Sequence, residues 1–504
     1  MTGVAGTETS RELARRVARG AASTLGATVV SRGLAMLQSI AVARLLDPYR
    51  LGLFSIVSYI MSLAGSLCDL GMPVAVTRVI AEERAARPHV VLEATGRLLR
   101  VVVGASLAVA ATLFLGADRL AAVYREPSIA VLFRLGALAL VVSVVGAYRS
   151  AVLQGLQQIH RLAGLSSLGS AAMLAFTLAL VPWLGLSGII LATILTEGVA
   201  WLASGRTLAR AIDAIRAEAR GRRREAPPER LFARAFHVAA PSFLNSLALF
   251  GAAWFVRSWL ARAQGYEAVG FYQIADSVSR VLMLVSGAIA VPLMPAVAEL
   301  GPDGRGRLGA GMETILRCTL AVTLPVSVFL ALGGRSLLSL VFGRSYAGAA
   351  TIMVWLALAT VFQALANVLW SAQVGSGRIW VGFAITAAGQ AVLVAAAVVL
   401  TPGWGLAGLG IAATAGQLLS FTLALRDVGG RLRVDFRRLR PVAAVGAAAW
   451  LAVAALFRLG APELPSAVLL AAAAVAAQAL LLTPGEWRAV RELAGSTLGR
   501  SGHA

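Results

Sequence analysis

The chain has 504 residues, of which 58% are hydrophobic and only 14% are charged, whereas soluble domains average roughly 45–50% apolar and about 25% charged residues. This composition excludes an ordinary soluble protein and predicts a polytopic membrane protein. The formal net charge of +21 does not indicate a nucleic-acid-binding protein, because the basic residues, all of them arginines, cluster in short loops between apolar stretches.

Apolar stretches long enough to cross a bilayer recur along the whole chain. A spanning helix needs about 20 predominantly apolar residues, and no recurring strand-like alternation indicates a membrane barrel. The sequence therefore predicts an all-α fold of about fourteen spanning helices. Their expected extents are 23–46, 51–72, 98–117, 128–152, 162–183, 185–205, 237–261, 268–292, 312–334, 348–371, 379–400, 404–425, 442–459 and 464–483.

Arginines are distributed unevenly between the two sides of this predicted topology. With a cytoplasmic amino terminus, about 30 arginines fall in the tails and the even-numbered connections, and only about seven fall on the opposite side. The tails 1–20 and 484–504 are therefore predicted to lie in the cytoplasm. The amino-terminal tail lacks the apolar core and the cleavage site of a signal peptide, so the first span is expected to insert uncleaved.

Two segments recur at an offset close to 220 residues. The matching pairs are ARLLDPYRLGLFSI (43–56) with ARAQGYEAVGFYQI (261–274), and VPWLGLSGIILAT (181–193) with TPGWGLAGLGIAA (401–413). Chance similarity between two regions rich in Ala, Leu and Gly is the alternative. Each repeat holds six predicted spans, so both halves have the same orientation and are expected to meet at a site near the membrane midplane.

The repeat defines the predicted domains. An N-lobe (21–205) and a C-lobe (236–425), each of six spans, are joined by an Arg-rich cytoplasmic linker at 206–235. The last two spans (441–483) follow a basic cytoplasmic loop at 426–440 and lie outside the repeat.

Several predicted spans carry polar or charged residues. A charge at the bilayer centre costs about 2.5–3.5 kcal/mol on insertion scales, so these residues are expected to face a watery cavity or a partner. Arginine suits pyrophosphate and amides suit sugars, which predicts a cavity for an anionic substrate. The candidate cavity residues are Arg32, Arg149, Asn245, Arg257, Arg280, Gln363, Asn367 and Gln390. The candidate ion-coupling residues are Asp69, Glu197 and Asp276.

Each candidate also has a structural interpretation. Arg257 lies near the outer end of its span and can extend to the interface, whereas Arg32 lies too deep to do so easily. Asp276 and Arg280 are spaced i, i+4 and can neutralise each other. Arg149 is consistent with either a cavity mouth or an interfacial anchor. We expect no metal and no cofactor, because histidines and cysteines have no ligand spacing and no Walker A motif occurs.

Four sequence features occur together in the first part of the chain. They are the block ARLLDPYRLGLF (43–54), the turn DLGMP (69–73), Arg78 just beyond it, and QGLQQ (154–158). With the repeat, they resemble Wzx-type polysaccharide flippases of the MOP exporter superfamily, to which the MurJ lipid II flippases and the MATE exporters also belong. The resemblance covers roughly residues 20–425 and is more specific for the superfamily than for one branch.

This resemblance implies a two-lobed transporter that moves a polyprenyl-diphosphate-linked oligosaccharide across the bacterial inner membrane by alternating access. Its implied partners are that lipid-linked anionic oligosaccharide, membrane lipids and a polysaccharide polymerase, but no nucleic acid. The predicted external loops are short and poor in acids, which disfavours an enzyme. Two alternatives are a lipid II flippase of the MurJ kind, which the span count permits, and a cation-coupled MATE-like drug exporter, whose cavity needs more acids.

Overall fold

The structure is a computed structural model that describes residues 30–83, 87–156, 158–220, 231–283, 286, 305–432, 439–459 and 463–481. All regular structure within these ranges is helical, which confirms the predicted all-α class. The predicted tails 1–20 and 484–504 lie outside the described residues, as do parts of the first and eighth predicted spans.

Fourteen helices are numbered in chain order over these ranges. They are α1 (30–45), α2 (Pro48–Asp69), α3 (Met72–Glu83), α4 (Pro88–Tyr124), α5 (Ser128–Gly155), α6 (Ile159–Leu184), α7 (Leu186–Ala219), α8 (Leu231–Gln264), α9 (Tyr266–Ser279), α10 (Arg305–Val341), α11 (Ala350–Gly375), α12 (Ile379–Leu432), α13 (Leu439–Leu459) and α14 (Glu463–Leu481). Short 3-10 segments cover Arg280–Leu282 and Arg344–Ala349.

Nine of the described helices are long and apolar enough to cross a membrane. One of the nine, α12, joins two predicted spans across a kink at Gly405. Two shorter apolar helices, Arg440–Leu456 and Leu464–Gln478, coincide with the last two predicted spans.

The described residues form two compact units. Unit 1 holds those of Met1–Leu45 and Ala64–Phe243, and unit 2 holds those of Leu46–Leu63 and Leu244–Arg491. In unit 1, α5 packs against α3, α4 and α7, and α6 packs against α7. In unit 2, α11 packs against α10 and α12, while α10 also packs against α13 and α14.

Helix α7 continues into the segment that the sequence suggested as a linker. Residues 206–219 are helical because their apolar side chains recur at helical spacing without an interrupting Gly or Pro. Ala211 and Ile215, four residues apart, are buried in the apolar core of unit 1. The first residues of the suggested loop 426–440 likewise extend α12 through Leu432.

The second pair of matching sequence blocks folds into matching turns. Gly185, between α6 and α7, has φ 56° and ψ −130°, and Gly405, within α12, has φ 59° and ψ −137°. Residues with a Cβ rarely adopt a positive φ of this kind. Each glycine follows a helical proline, Pro182 or Pro402, by three residues. The repeat detected in the sequence is therefore also a repeat of backbone geometry.

The first pair of matching blocks forms a close helix crossing in unit 2. A Cβ on Gly52 of α2 would overlap the Tyr266 carbonyl oxygen, and a Cβ on Gly270 of α9 would overlap the Pro48 carbonyl oxygen. Gly52 and Gly270 are equivalent positions of the repeat, 218 residues apart. Pro48 and Tyr266 are also equivalent, at the same offset. The two copies of the motif therefore make the same contact with each other.

This crossing predicts a stability difference between two glycines of unit 2. Gly270→Ala is expected to lower the unfolding free energy by about 1–3 kcal/mol, because the added methyl group must push two backbones apart. Gly251→Ala in α8 is the control, since a Cβ there meets no atom within 4 Å and alanine favours helix. Thermal unfolding of the purified variants in detergent measures the difference, and equal melting temperatures would contradict the crossing.

Candidate functional site

A buried arginine lies beside the α2–α9 crossing. Arg257 of α8 has a side chain only 1% exposed. Its Nε donates a hydrogen bond to Ser55 Oγ (3.0 Å) and its Nη1 donates to the Ala253 carbonyl oxygen (3.2 Å). Its Nη2 donates to Gln273 Oε1 (3.2 Å) and to Asp276 Oδ2 (3.1 Å). A guanidinium cannot lose its proton in a protein, so these acceptors are what make its burial tolerable.

Two tyrosines complete the enclosure of this guanidinium. The Cζ atom of Arg257 lies 3.5 Å from the ring centroid of Tyr59 and 4.6 Å from that of Tyr272. A desolvated cation–π contact contributes about 2 kcal/mol. Arg257 is therefore held by three helices, α2, α8 and α9, and is not available to extend to a membrane interface.

A second arginine of the same network remains accessible. Arg280 Nη2 donates to Asp276 Oδ2 (2.6 Å) and to the Tyr59 hydroxyl oxygen (3.0 Å), yet its side chain is 56% exposed. The side chain of Asp276 is 16% exposed and bridges both guanidinium groups. We call the set Ser55, Tyr59, Arg257, Tyr272, Gln273, Asp276 and Arg280 the Arg257 cluster. Two arginines and one aspartate give it a net charge of +1.

The internal repeat explains how this cluster is assembled. Ser55 and Gln273 occupy equivalent positions 218 residues apart, and the Ser55 hydroxyl donates to Gln273 Oε1 (2.8 Å). Equivalent helices that cross thus place two polar side chains in contact, and Arg257 binds both. The candidates predicted from the sequence did not include Ser55 or Gln273, and they did not include Tyr59 or Tyr272. The signal for the two tyrosines was an aromatic residue adjoining the polar residues of the same two spans.

The other candidates of unit 2 lie outside this hydrogen-bond network. Asn245 is on α8 with Arg257, and its Oδ1 is buried without a hydrogen-bond partner among the described residues. Asn367 Nδ2 donates to Ser286 Oγ (3.4 Å). Gln363 and Gln390 are half-buried on α11 and α12.

The candidates of unit 1 have different surroundings. Arg149 stacks on the Trp201 ring at 5.3 Å and donates to the Trp201 carbonyl oxygen (3.3 Å). Asp69 Oδ1 accepts from the Gly71 N–H (2.9 Å) at the turn between α2 and α3, which is a structural role. Arg32 is exposed on α1.

Glu197, a candidate of unit 1, lines a cavity. This cavity, of about 320 Å³, is bordered by α1, α6 and α7. The lining residues are Ala35, Gln38, Ser166, Gly169, Ser170, Met173, Thr193, Thr196 and Glu197. Arg32 precedes Ala35 by three residues and so lies about one turn from the cavity on the same face of α1.

Sequence comparison identifies a family. The model of the polysaccharide biosynthesis protein family matches residues 17–300. No curated protein matches the chain in sequence.

Solved structures identify the fold. An inward-facing multidrug resistance MATE family transporter of the MOP superfamily is 17% identical, with 80% of this chain and 94% of that chain covered and a TM-score of 0.64. The lipid II flippase MurJ in an inward closed conformation is 12% identical, with 90% of this chain and 97% of that chain covered and a TM-score of 0.65. A MOP superfamily transporter from Pyrococcus furiosus, described by a binding pocket of reverse polarity, is 15% identical, with 82% and 95% covered and a TM-score of 0.60. These similarities confirm the predicted MOP-type fold.

Proposed function

Because the chain belongs to the polysaccharide biosynthesis protein family, we propose that it is a flippase for a polyprenyl-diphosphate-linked oligosaccharide, working by alternating access. The Arg257 cluster carries the proposal, because it holds a net positive charge among three helices, α2, α8 and α9, that lie in predicted spans. The bacterial inner membrane, cytoplasmic termini and a polysaccharide polymerase as partner belong to the same proposal, and the arginine distribution supports the orientation.

Arg280 is assigned to the diphosphate. Its exposed guanidinium has donors left over from the bonds to Asp276 and Tyr59, and a guanidinium binds phosphate oxygens in a bidentate, charge-assisted manner. Arg257 acts as a positioning residue, because it fixes Asp276 and the Tyr59 ring, which in turn orient Arg280. The membrane potential, positive outside, favours outward movement of the anionic headgroup by about 2.3 kcal/mol per charge per 100 mV.

The remaining candidates are assigned by their surroundings. Arg32, Arg149, Asn245, Gln363, Asn367 and Gln390 are proposed as further contacts for the headgroup. Of the three candidate ion-coupling acids, Asp276 is neutralised by two arginines and Asp69 caps a turn. Only Glu197 remains without an ion pair or hydrogen bond among the described residues.

The fold leaves one related alternative. A lipid II flippase of the MurJ kind would use the same cluster for the same diphosphate, and the similarity to MurJ covers 90% of this chain. Rescue of cells depleted of lipid II transport by this chain would favour that alternative. A MATE-like exporter of cationic drugs is disfavoured, because the net charge of the Arg257 cluster repels cations.

Deletion of the gene in its native bacterium tests the proposed function. We expect surface polysaccharide, measured by lectin staining of intact cells, to disappear and the lipid-linked precursor to accumulate. The wild-type chain and Arg262→Ala, which alters an exposed arginine of α8, should restore staining, whereas Arg280→Gln should not. Unchanged staining in the deletion strain would overturn the proposal.

A further inference from the structure

The cavity of unit 1 lies near the middle of the sixth predicted span. Glu197 is 12 residues beyond Gly185, about 18 Å along α7 at 1.5 Å per residue. Because the hydrocarbon core is about 30 Å thick, Glu197 lies near the middle of the predicted span. Sites of membrane transporters concentrate at this depth.

The polar groups of this cavity present lone pairs. Ser170 Oγ donates to the Ser166 carbonyl oxygen (3.0 Å) and Thr193 Oγ1 donates to the Ile189 carbonyl oxygen (3.0 Å). Thr196 Oγ1 contacts Met173 Sδ at 3.6 Å. These hydroxyl groups therefore already donate their protons within the protein, and their oxygens can still accept hydrogen bonds from a ligand. The cavity is suited to a ligand rich in hydrogen-bond donors.

Glu197 is the strongest acceptor in this lining. Its carboxylate makes no hydrogen bond or ion pair with a described residue, and it packs against Gly146 of α5, where a Cβ would overlap Glu197 Oε2. An unpaired carboxylate inside a spanning helix is costly, so a ligand that supplies hydrogen-bond donors would stabilise it. None of the described lining residues is an arginine, which disfavours this cavity as the site for the diphosphate.

The volume of the cavity indicates which kind of ligand it can hold. A bare metal ion is bound by several oxygens at about 2.0–2.6 Å. A cavity of about 320 Å³ is too wide to hold its lining oxygens that close to one ion. This volume lies at the lower end of the range for small-molecule pockets, roughly 300–1,000 Å³. Ala35, Gly169 and Met173 add apolar groups to the lining. Sugars combine the two matching features, a C–H face and a rim of hydroxyl donors.

We propose that this cavity of unit 1 is a sugar subsite, in which Glu197 accepts hydrogen bonds from hydroxyl groups of the lipid-linked oligosaccharide. The inference rests on the proposed function and deepens it. Under this proposal, two sites bind different parts of the substrate. The Arg257 cluster binds the diphosphate, and the cavity binds the sugar. Gln38 is the amide in this lining that can also donate to the sugar.

Two lipid probes test the subsite on the full-length protein in detergent: polyprenyl diphosphate carrying N-acetylglucosamine, and bare polyprenyl diphosphate. We expect Glu197→Gln to weaken binding of the sugar-bearing probe at least about tenfold, as expected for loss of a charge-assisted bond, and to leave the bare probe unaffected. Gly146→Ala should act in the same direction by displacing the carboxylate. Glu93→Gln, at an exposed acid of α4 paired with Arg97, is the matched control.

The outcomes separate this inference from the proposed function. Equal affinity of the wild-type chain for both probes, or equal weakening of both by Glu197→Gln, would overturn the sugar subsite alone. A sodium requirement that Glu197→Gln abolishes for both probes would reassign the cavity to a cation. Arg280→Gln should weaken both probes, and a wild-type chain that binds neither would contradict the proposed function itself.

Discussion

Arg257→Ala is expected to lower the unfolding free energy by about 3–5 kcal/mol, as is typical when one partner of a buried ion pair is removed. The substitution leaves Asp276 with Arg280 alone, removes the cation from between Tyr59 and Tyr272, and opens a void at the α2–α9 crossing. We expect little monodisperse protein after purification and a much lower melting temperature.

Two companion variants distinguish charge from geometry at this position. Arg257→Lys keeps the charge but has no planar fork to reach Ser55, Gln273 and Asp276 together, so we expect an intermediate melting temperature. Arg262→Ala, in the last turn of α8, should leave the melting temperature unchanged. If Arg257→Ala behaves like Arg262→Ala, the Arg257 cluster does not hold the three helices together.

Arg280→Gln is expected to reduce transport by about 10- to 100-fold, equivalent to about 1.4–2.8 kcal/mol, without a comparable loss of stability. The side chain of Arg280 is more than half exposed, and exposed ion pairs contribute about 0–1 kcal/mol to stability. The substitution removes the accessible guanidinium and leaves the enclosed one in place. Initial rates of headgroup translocation, compared at equal amounts of folded protein, measure the effect.

A lysine substitution distinguishes the contribution of the positive charge of Arg280 from that of its planar guanidinium group. Arg280→Lys should retain part of the transport activity, because an ammonium attracts the diphosphate but binds it as a point charge. Wild-type rates for Arg280→Gln, or a melting temperature as low as that of Arg257→Ala, would contradict a role in substrate binding.

The helical class and the repeat were predictable because both depend on local sequence. Apolar length predicts spanning helices, and the glycines at 52 and 270 mark equivalent positions whatever they contact. The crossing itself was not predictable, since a repeat gives equivalence but not the partner of each helix. The 218-residue offset of the Ser55–Gln273 hydrogen bond shows that in unit 2 equivalent positions contact each other.

The burial and the ion pairs of each charged candidate depend on neighbouring residues that the sequence alone does not identify. Neutralisation of Asp276 by Arg280 was one of the two interpretations and is observed. Arg257 was predicted to line a watery cavity, with extension to the interface as the alternative. The structure instead encloses its side chain, and the two tyrosines that enclose it come from α2 and α9. Glu197 was one of three equivalent acids until the cavity distinguished it.

Translocation in proteoliposomes tests the central claim most directly. Purified protein is reconstituted with a fluorescent polyprenyl-diphosphate oligosaccharide in both leaflets, and a membrane-impermeant glycosidase is added outside. We expect wild-type protein to expose nearly all of the lipid to the enzyme, and Arg280→Gln to expose the inner-leaflet half about 10- to 100-fold more slowly, equivalent to about 1.4–2.8 kcal/mol. Protection of that half by wild-type protein, as in protein-free liposomes, would contradict the account.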